Sequence, residues 1–168
     1  MPTSYLLIGS GIVIWMISSY VSPSQSGGPS GPNTAAPRDV LRWRSKVDTL
    51  TRKYGGSVSS DLVLAVIWQE SGGNADAEGN AGELGLMQVT PVASQDVGEP
   101  PLVYNSGPEE QLKHGIKYLK KCNSEYTNVG NRFTTLRCYN EGPPPFTKEA
   151  SKRYAQKVLD KLSRINGN

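Results

Sequence analysis

A mostly α-helical globular domain behind an apolar N-terminal segment is the architecture this sequence predicts, and three observations predict it. From Met1 to Pro37 there is no Asp, Glu, Lys or Arg, so every formal charge of the 168-residue chain lies from Arg38 onward. In the charged part, apolar residues recur at three- and four-residue steps, the period of a helix with one buried face. Sustained apolar–polar alternation is missing there, although the stretch from Gly72 to Leu84 allows a short hairpin.

Tyr5 to Val21 is an apolar run of 17 residues. As a helix it would rise about 26 Å, the short limit for crossing a bilayer. Tyr5, Trp15 and Tyr20 lie toward its ends, where aromatic rings favour the membrane interface. A cleaved signal peptide would carry Lys or Arg ahead of the run and small residues at a cleavage site. This sequence offers only the α-amine and Ser18-Ser19-Tyr20 there, so residues 1–21 are read as an uncleaved transmembrane anchor. Residues 22–37, built from Ser, Gly, Pro, Gln, Asn, Thr and Ala alone, can form no core and read as a flexible linker.

Residues 38–168 read as one domain. Val40, Trp43, Val47, Leu50 and Tyr54 share a helical face, and Gly55-Gly56 ends that helix. Ser59 or Ser60 caps the next, with Asp61 suiting its positive end. Its body, Leu62-Val63-Leu64-Ala65-Val66-Ile67-Trp68, is apolar all round, the mark of a central helix. Pro108-Glu109-Glu110 opens a third helix that Lys117, Lys120 and Lys121 close. Arg132 to Tyr139 forms a short fourth, with Phe133 and Leu136 inward. Thr147 is expected to cap the last, whose inner face carries Ala150, Tyr154, Val158, Leu162 and Ile165.

The net charge is +3, with no basic cluster interleaved with aromatics, so nucleic-acid binding gains no support. Two cysteines and one histidine make no metal site. Without a Cys–His or Ser–His pairing near any motif, nucleophilic peptide cleavage gains none either. His114, between Lys113 and Gly115, is expected on the surface.

The central helix ends in Gln69-Glu70-Ser71-Gly72-Gly73. Cleaving a glycosidic bond needs an acid that still holds its proton near neutral pH, hence a poorly solvated carboxyl. Glu70, where a buried helix reaches the surface beside Trp68, suits that task. Two further motifs follow: Gly82-Glu83-Leu84-Gly85-Leu86-Met87-Gln88-Val89-Thr90-Pro91, and later Tyr139-Asn140-Glu141-Gly142. Read singly, they are a turn with core residues and a buried aromatic.

In this order and spacing the three motifs, with Tyr154-Ala155-Gln156-Lys157-Val158 behind them, make residues 61–158 resemble the lytic transglycosylases of the soluble-lytic-transglycosylase type. That family shares the lysozyme-like fold of the goose-type lysozymes. The resemblance implies cleavage between N-acetylmuramic acid and N-acetylglucosamine in peptidoglycan, giving 1,6-anhydro products with no metal or organic cofactor. It makes Glu70 the acid and then the base, and has Ser71 orient the substrate or the carboxyl. Gly85, Leu86, Met87 and Gln88 would wall the sugar cleft, with Gln88 bonding to the glycan. Tyr139 would hold Glu70, and Asn140 would support that end.

Glu83 departs from the family, which has a small residue there. It is read first as a solvated loop residue. The alternative makes it a second carboxylate that positions water, as in a hydrolase; Asp76, Glu78 and Asp96 are weaker candidates for that part. Cys122 and Cys138 could close a disulfide outside the cytoplasm, pinning the Tyr139 helix to the one before it, or remain two reduced core thiols.

The glycan lies outside the cytoplasmic membrane, which places the domain in the periplasm or cell-wall space. Arg38, Arg42 and Arg44, counted as flanking charges, favour the opposite orientation only weakly. A non-catalytic wall-binding protein, or a membrane component of a virion, secretion or conjugation machine, is the reading from another class.

Overall fold

A computed structural model describes residues 35–126 and 130–167. The expected anchor at 5–21, and the linker up to residue 34, lie outside the described residues. Among the described residues, no helix is long and apolar enough to cross a membrane. The folded part starts slightly before Arg38. Ala36 is buried, and the Pro37 carbonyl accepts from the amides of Val40 (3.1 Å) and Leu41 (3.0 Å), so the end of the linker assignment belongs to the domain.

The first predicted helix is two: α1 (Arg38–Leu41) and α2 (Arg44–Tyr54). Val40, Val47 and Leu50 share the buried face as expected. At the break, Arg42 Nη2 and Trp43 Nε1 each donate to the Gly73 carbonyl at 2.9 Å, which ties this corner to the chain leaving the next helix. That helix, α3 (Ser60–Glu70), is capped by Ser59, whose Oγ accepts from the Leu62 amide at 3.2 Å. Every residue from Leu62 to Ile67 is buried, because α3 has α1, α2 and the C-terminal helix packed around it.

The segment after α3 folds back without forming a strand. Single antiparallel bridges, Glu78 to Leu84 and Leu84 to Val89, take the place of the expected hairpin. A short helix missed by periodicity, α4 (Pro91–Asp96), follows; Thr90 Oγ1 caps it through the Ala93 amide (3.0 Å), and Pro91 occupies its first turn. α5 (Pro108–Lys121) matches its predicted bounds and charge pattern.

His114 overturns the surface expectation: it is fully buried on α5. Its Nδ1 meets Ser94 Oγ at 3.1 Å, and its Nε2, without a hydrogen-bond partner, lies 3.7 Å from Glu99 Oε2. Burial lowers its pKa. The flanking lysine misled; His114 shares a helical stripe with the buried Gln111 and Tyr118, and that phase decides.

A π-helical turn (Cys122–Tyr126) leads on to α6 (Arg132–Glu141) and α7 (Glu149–Asn166). Cys122 and Cys138 form a disulfide between the π turn and α6. Two details of α7 differ from expectation. Its cap position is Lys148 rather than Thr147, and the amides of both residues donate to Glu141 Oε1 at 2.8 and 2.7 Å, so a carboxylate from α6 does the capping. Ala150 is exposed; Ser151 and Ala155 join Tyr154, Val158, Leu162 and Ile165 on the buried face.

Candidate active site

Glu70 is the last residue of α3, and α7 crosses beside it. Tyr154 of α7 donates its hydroxyl to Glu70 Oε1 at 2.6 Å. The residue as a whole is only half-buried, yet its Oε2 is buried and has no hydrogen-bond partner. Burial drives the carboxyl from 4.5 up to about 8; the Tyr154 hydrogen bond opposes that climb and the Glu83 charge adds to it. Since Oε1 is already accepting from Tyr154, the acid proton belongs on Oε2.

Tyr139 does not hold Glu70. Its hydroxyl donates to the Met87 carbonyl at 2.8 Å, and its ring sits 5.6 Å from that of Tyr118. It remains in Glu70's neighbourhood: burial first, then the Glu70 charge, raise its phenol well above 10. Tyr154, read from the sequence as an inner-face residue of the last helix and the first of the late motif, fills the expected part. Burial and the same carboxylate raise its phenol too. A phenol in an otherwise aliphatic stripe was the available signal, because a buried hydroxyl needs a partner.

Ser71 is bonded to backbone on three sides. Its Oγ lies 2.9 Å from the Leu86 carbonyl and 3.3 Å from that of Ile67, and it accepts from the Gly73 amide at 3.2 Å. It therefore straps the Gly85–Gln88 segment to the end of α3. Gly85, Leu86 and Met87 are buried and Gln88 is half-buried. Gln88 has a positive φ of 47°, and its Nε2 donates to the carbonyls of Ala77 and Gly85, both at 3.0 Å. Met87 packs on Gly115 of α5, where a Cβ would strike the Met87 side chain. Asn140 is half-buried beside Tyr139 in the last turn of α6.

Glu83 is not the solvated loop residue expected, being 5% exposed. Its Oε2 accepts from the Ala81 amide at 2.9 Å, so the carboxylate is folded into its own turn. Asp76 and Glu78 line a cavity of about 290 Å³ with Gly85, Tyr104 and Gln111, and Glu70 is not among its lining residues. Asp96 is held elsewhere, by Lys121 at 2.8 Å and the Tyr126 hydroxyl at 3.1 Å. Among the described residues, no group of three His, Cys, Asp or Glu side chains is placed to hold a metal.

Two residues to which the sequence reading gave no part organise the surroundings. Gln111 of α5 bonds to three backbone segments behind the Gly85–Gln88 wall. Glu141 fixes the α6–α7 corner that delivers Tyr154. Burial alone would raise its carboxyl, but hydrogen bonds from Ser151, Thr147 and Lys148 outweigh it and hold the pKa at about 2.

A carboxyl at the end of a central helix, bonded to a tyrosine and joined through Ser71 to a Gly-Leu-Met-Gln segment, defines a class, and the comparisons agree on it. The family described as the transglycosylase SLT domain matches residues 49–161, and the chain belongs to that family. It is 28% identical over 129 residues to the bifunctional muramidase/DL-endopeptidase CwlT of Bacillus subtilis (strain 168), covering 76% of this chain and 35% of that protein. It is also 28% identical over 127 residues to the endo-type membrane-bound lytic murein transglycosylase A of Klebsiella pneumoniae, covering 71% and 60% of the two. The 70-kDa soluble lytic transglycosylase of Escherichia coli shares the fold, with a TM-score of 0.60 at 20% identity over 73% of this chain and 24% of that one. The chain thus spans between about a third and three fifths of these curated relatives.

Proposed function

We propose that this chain cleaves the β-1,4 bond between N-acetylmuramic acid and N-acetylglucosamine in peptidoglycan, as a lytic transglycosylase with Glu70 as acid and then base. The observation that carries the reading is the Glu70 carboxyl: its pKa of about 8 keeps it protonated at neutral pH, with Oε1 engaged by Tyr154 and Oε2 unpartnered. The Oε2 proton goes to the glycosidic oxygen as its bond to the anomeric carbon breaks. The N-acetyl oxygen of the muramic acid stabilises that carbon, which lets one carboxylate suffice. The Glu70 carboxylate, steadied by the Tyr154 hydroxyl, then takes the proton of the sugar's 6-hydroxyl, whose oxygen bonds to the anomeric carbon and closes the anhydro ring. No water is consumed. Because Oε2 is buried in the free protein, glycan entry has to be accompanied by its exposure.

The printed names of the relatives, one a muramidase and one a membrane-bound lytic murein transglycosylase, support glycan strands as the substrate class. They leave two outcomes for the bond. The buried Glu83, whose charge acts on Glu70, favours the second reading, in which water rather than the 6-hydroxyl attacks. Its tie to the Ala81 amide argues for the first. The apolar run at 5–21 supports a membrane anchor with the domain in the periplasm or wall space.

The test is release of soluble fragments from purified sacculi by the full chain, beside Glu70→Gln. Release by the wild type alone is expected. Equal release by both would remove Glu70 as the acid, and release by neither would make the cleft a binding surface, as in a wall-binding or machine-assembly protein.

A further inference from the structure

Gln111 lies in the first half of α5 and is 5% exposed. Its carboxamide is used at both ends. Oε1 accepts from the Leu86 amide at 3.0 Å, while Nε2 donates to the carbonyls of Ala75 (3.0 Å) and Ser106 (2.8 Å). Such a hub is costly to break, because each buried backbone group it serves would lose its partner.

The Leu86 peptide is the point that matters. Gln111 holds its N–H from the α5 side, and Ser71, the residue bonded to Glu70 in the chain, holds its C=O from the α3 side at 2.9 Å. Gly85 leaves no slack between wall and amide: a Cβ there would collide with the Gln111 carboxamide, and its φ of +75° already disfavours a side chain. One residue further on, Tyr139 holds the Met87 carbonyl. The wall is therefore clamped between the catalytic helix end and α5, with Gln111 as the clamp on the far side.

We infer that Gln111 is a positioning residue for glycan cleavage, fixing the distance from the Gly85–Gln88 wall to Glu70 through the Leu86 peptide. This rests on the proposed reading of the Glu70 cleft as the active site. Gln111 makes no contact with Glu70; it acts through the wall. A wall displaced by about an ångström carries the bound sugar away from the Oε2 proton, and misplacement of that order slows a reaction by up to about 100-fold.

The experiment compares the full-length wild type with Gln111→Met, which keeps the volume and loses every bond, and Gln111→Glu, which keeps an acceptor for the Leu86 amide. Activity on soluble glycan strands is followed against pH, together with hydrogen exchange of the Leu86 amide and the thermal midpoint. In Gln111→Met, kcat/KM falls roughly 10- to 100-fold, the Leu86 amide loses protection, and the high-pH limb set by Glu70 stays in place. Gln111→Glu loses the donors to Ala75 and Ser106 and so some thermal midpoint, but it retains Leu86 protection and stays at least about 3-fold faster than Gln111→Met. The inference is overturned if Leu86 loses protection without loss of activity, if the pH limb moves with the rate, or if a folded Gln111→Glu that protects Leu86 is as slow as the Met variant. Should Gln111→Met fail to fold, Gln111→Asn, whose amide is one methylene short of the Leu86 amide, takes its place, and loss of Leu86 protection without loss of activity again overturns the inference. An inactive wild type would instead remove the parent reading, and this one with it.

Discussion

Replacing Glu70 by Gln should stabilise the protein at alkaline pH and leave it nearly unchanged in acid. A carboxyl whose folded pKa is about 8, against 4.5 when free, binds its proton more tightly folded than unfolded. Between those two values the folded state holds the proton and the unfolded state has lost it, so wild-type stability falls as pH rises from about 4.5 to about 8. At 1.36 kcal/mol per unit, the full shift would amount to about 5 kcal/mol; the partial exposure of the residue trims it to about 2–5 kcal/mol. Gln keeps the shape and accepts from Tyr154 without titrating. All other groups titrate alike in both proteins and cancel in the difference. Urea denaturation from pH 4 to 8.5 should show the variant's advantage growing with pH. An advantage that stayed flat, or shrank as pH rose, would refute the buried-acid account of Glu70.

Tyr154→Phe removes the bond that lowers the Glu70 pKa, worth about 1.5–3 kcal/mol as a charge-assisted contact; the high-pH limb of kcat/KM should move up by about 1–2 units, and a downward or null shift would contradict the assignment. Glu141→Gln should cost about 3 kcal/mol at pH 7 and little near pH 2. Its folded pKa is depressed, so its stabilisation is present above 4.5 and lost as pH falls toward 2, which chemical denaturation at several pH values can follow. Breaking the Cys122–Cys138 bond, by Cys138→Ser or by reductant, removes a cross-link across a sequence separation of 16. It should lower stability by about 2–4 kcal/mol, read as a drop in thermal midpoint.

The helices were legible in the sequence because their apolar faces repeat at the helical period and their ends carry strong signals. Pro108 with two glutamates, and the lysines closing α5, bounded that helix closely. α3 was legible as the core because nothing along Leu62–Ile67 is polar. The site was legible only as residue types in order. Which oxygen meets which hydroxyl depends on how α6 and α7 cross α3, a tertiary matter, and so Tyr139 and Tyr154 exchanged parts. Glu83 looked solvated because a carboxylate in a turn usually is; here the turn's own Ala81 amide takes it inward. Gln111 stood unnoticed in a charged-looking helix, and only the backbone groups around it reveal its task. Thr90-Pro91, a cap followed by a first-turn proline, was a readable start for α4, but six residues are too few for periodicity to register.

The central claim is the fate of the cleaved bond, and mass spectrometry of the muropeptides released from peptidoglycan by the full-length chain tests it most directly. Products ending in a 1,6-anhydro ring, lighter by one water than their hydrolysed counterparts and missing from a Glu70→Gln digest, are what the account predicts. Reducing-end products would contradict it and move Glu83 into the mechanism as the residue that activates water.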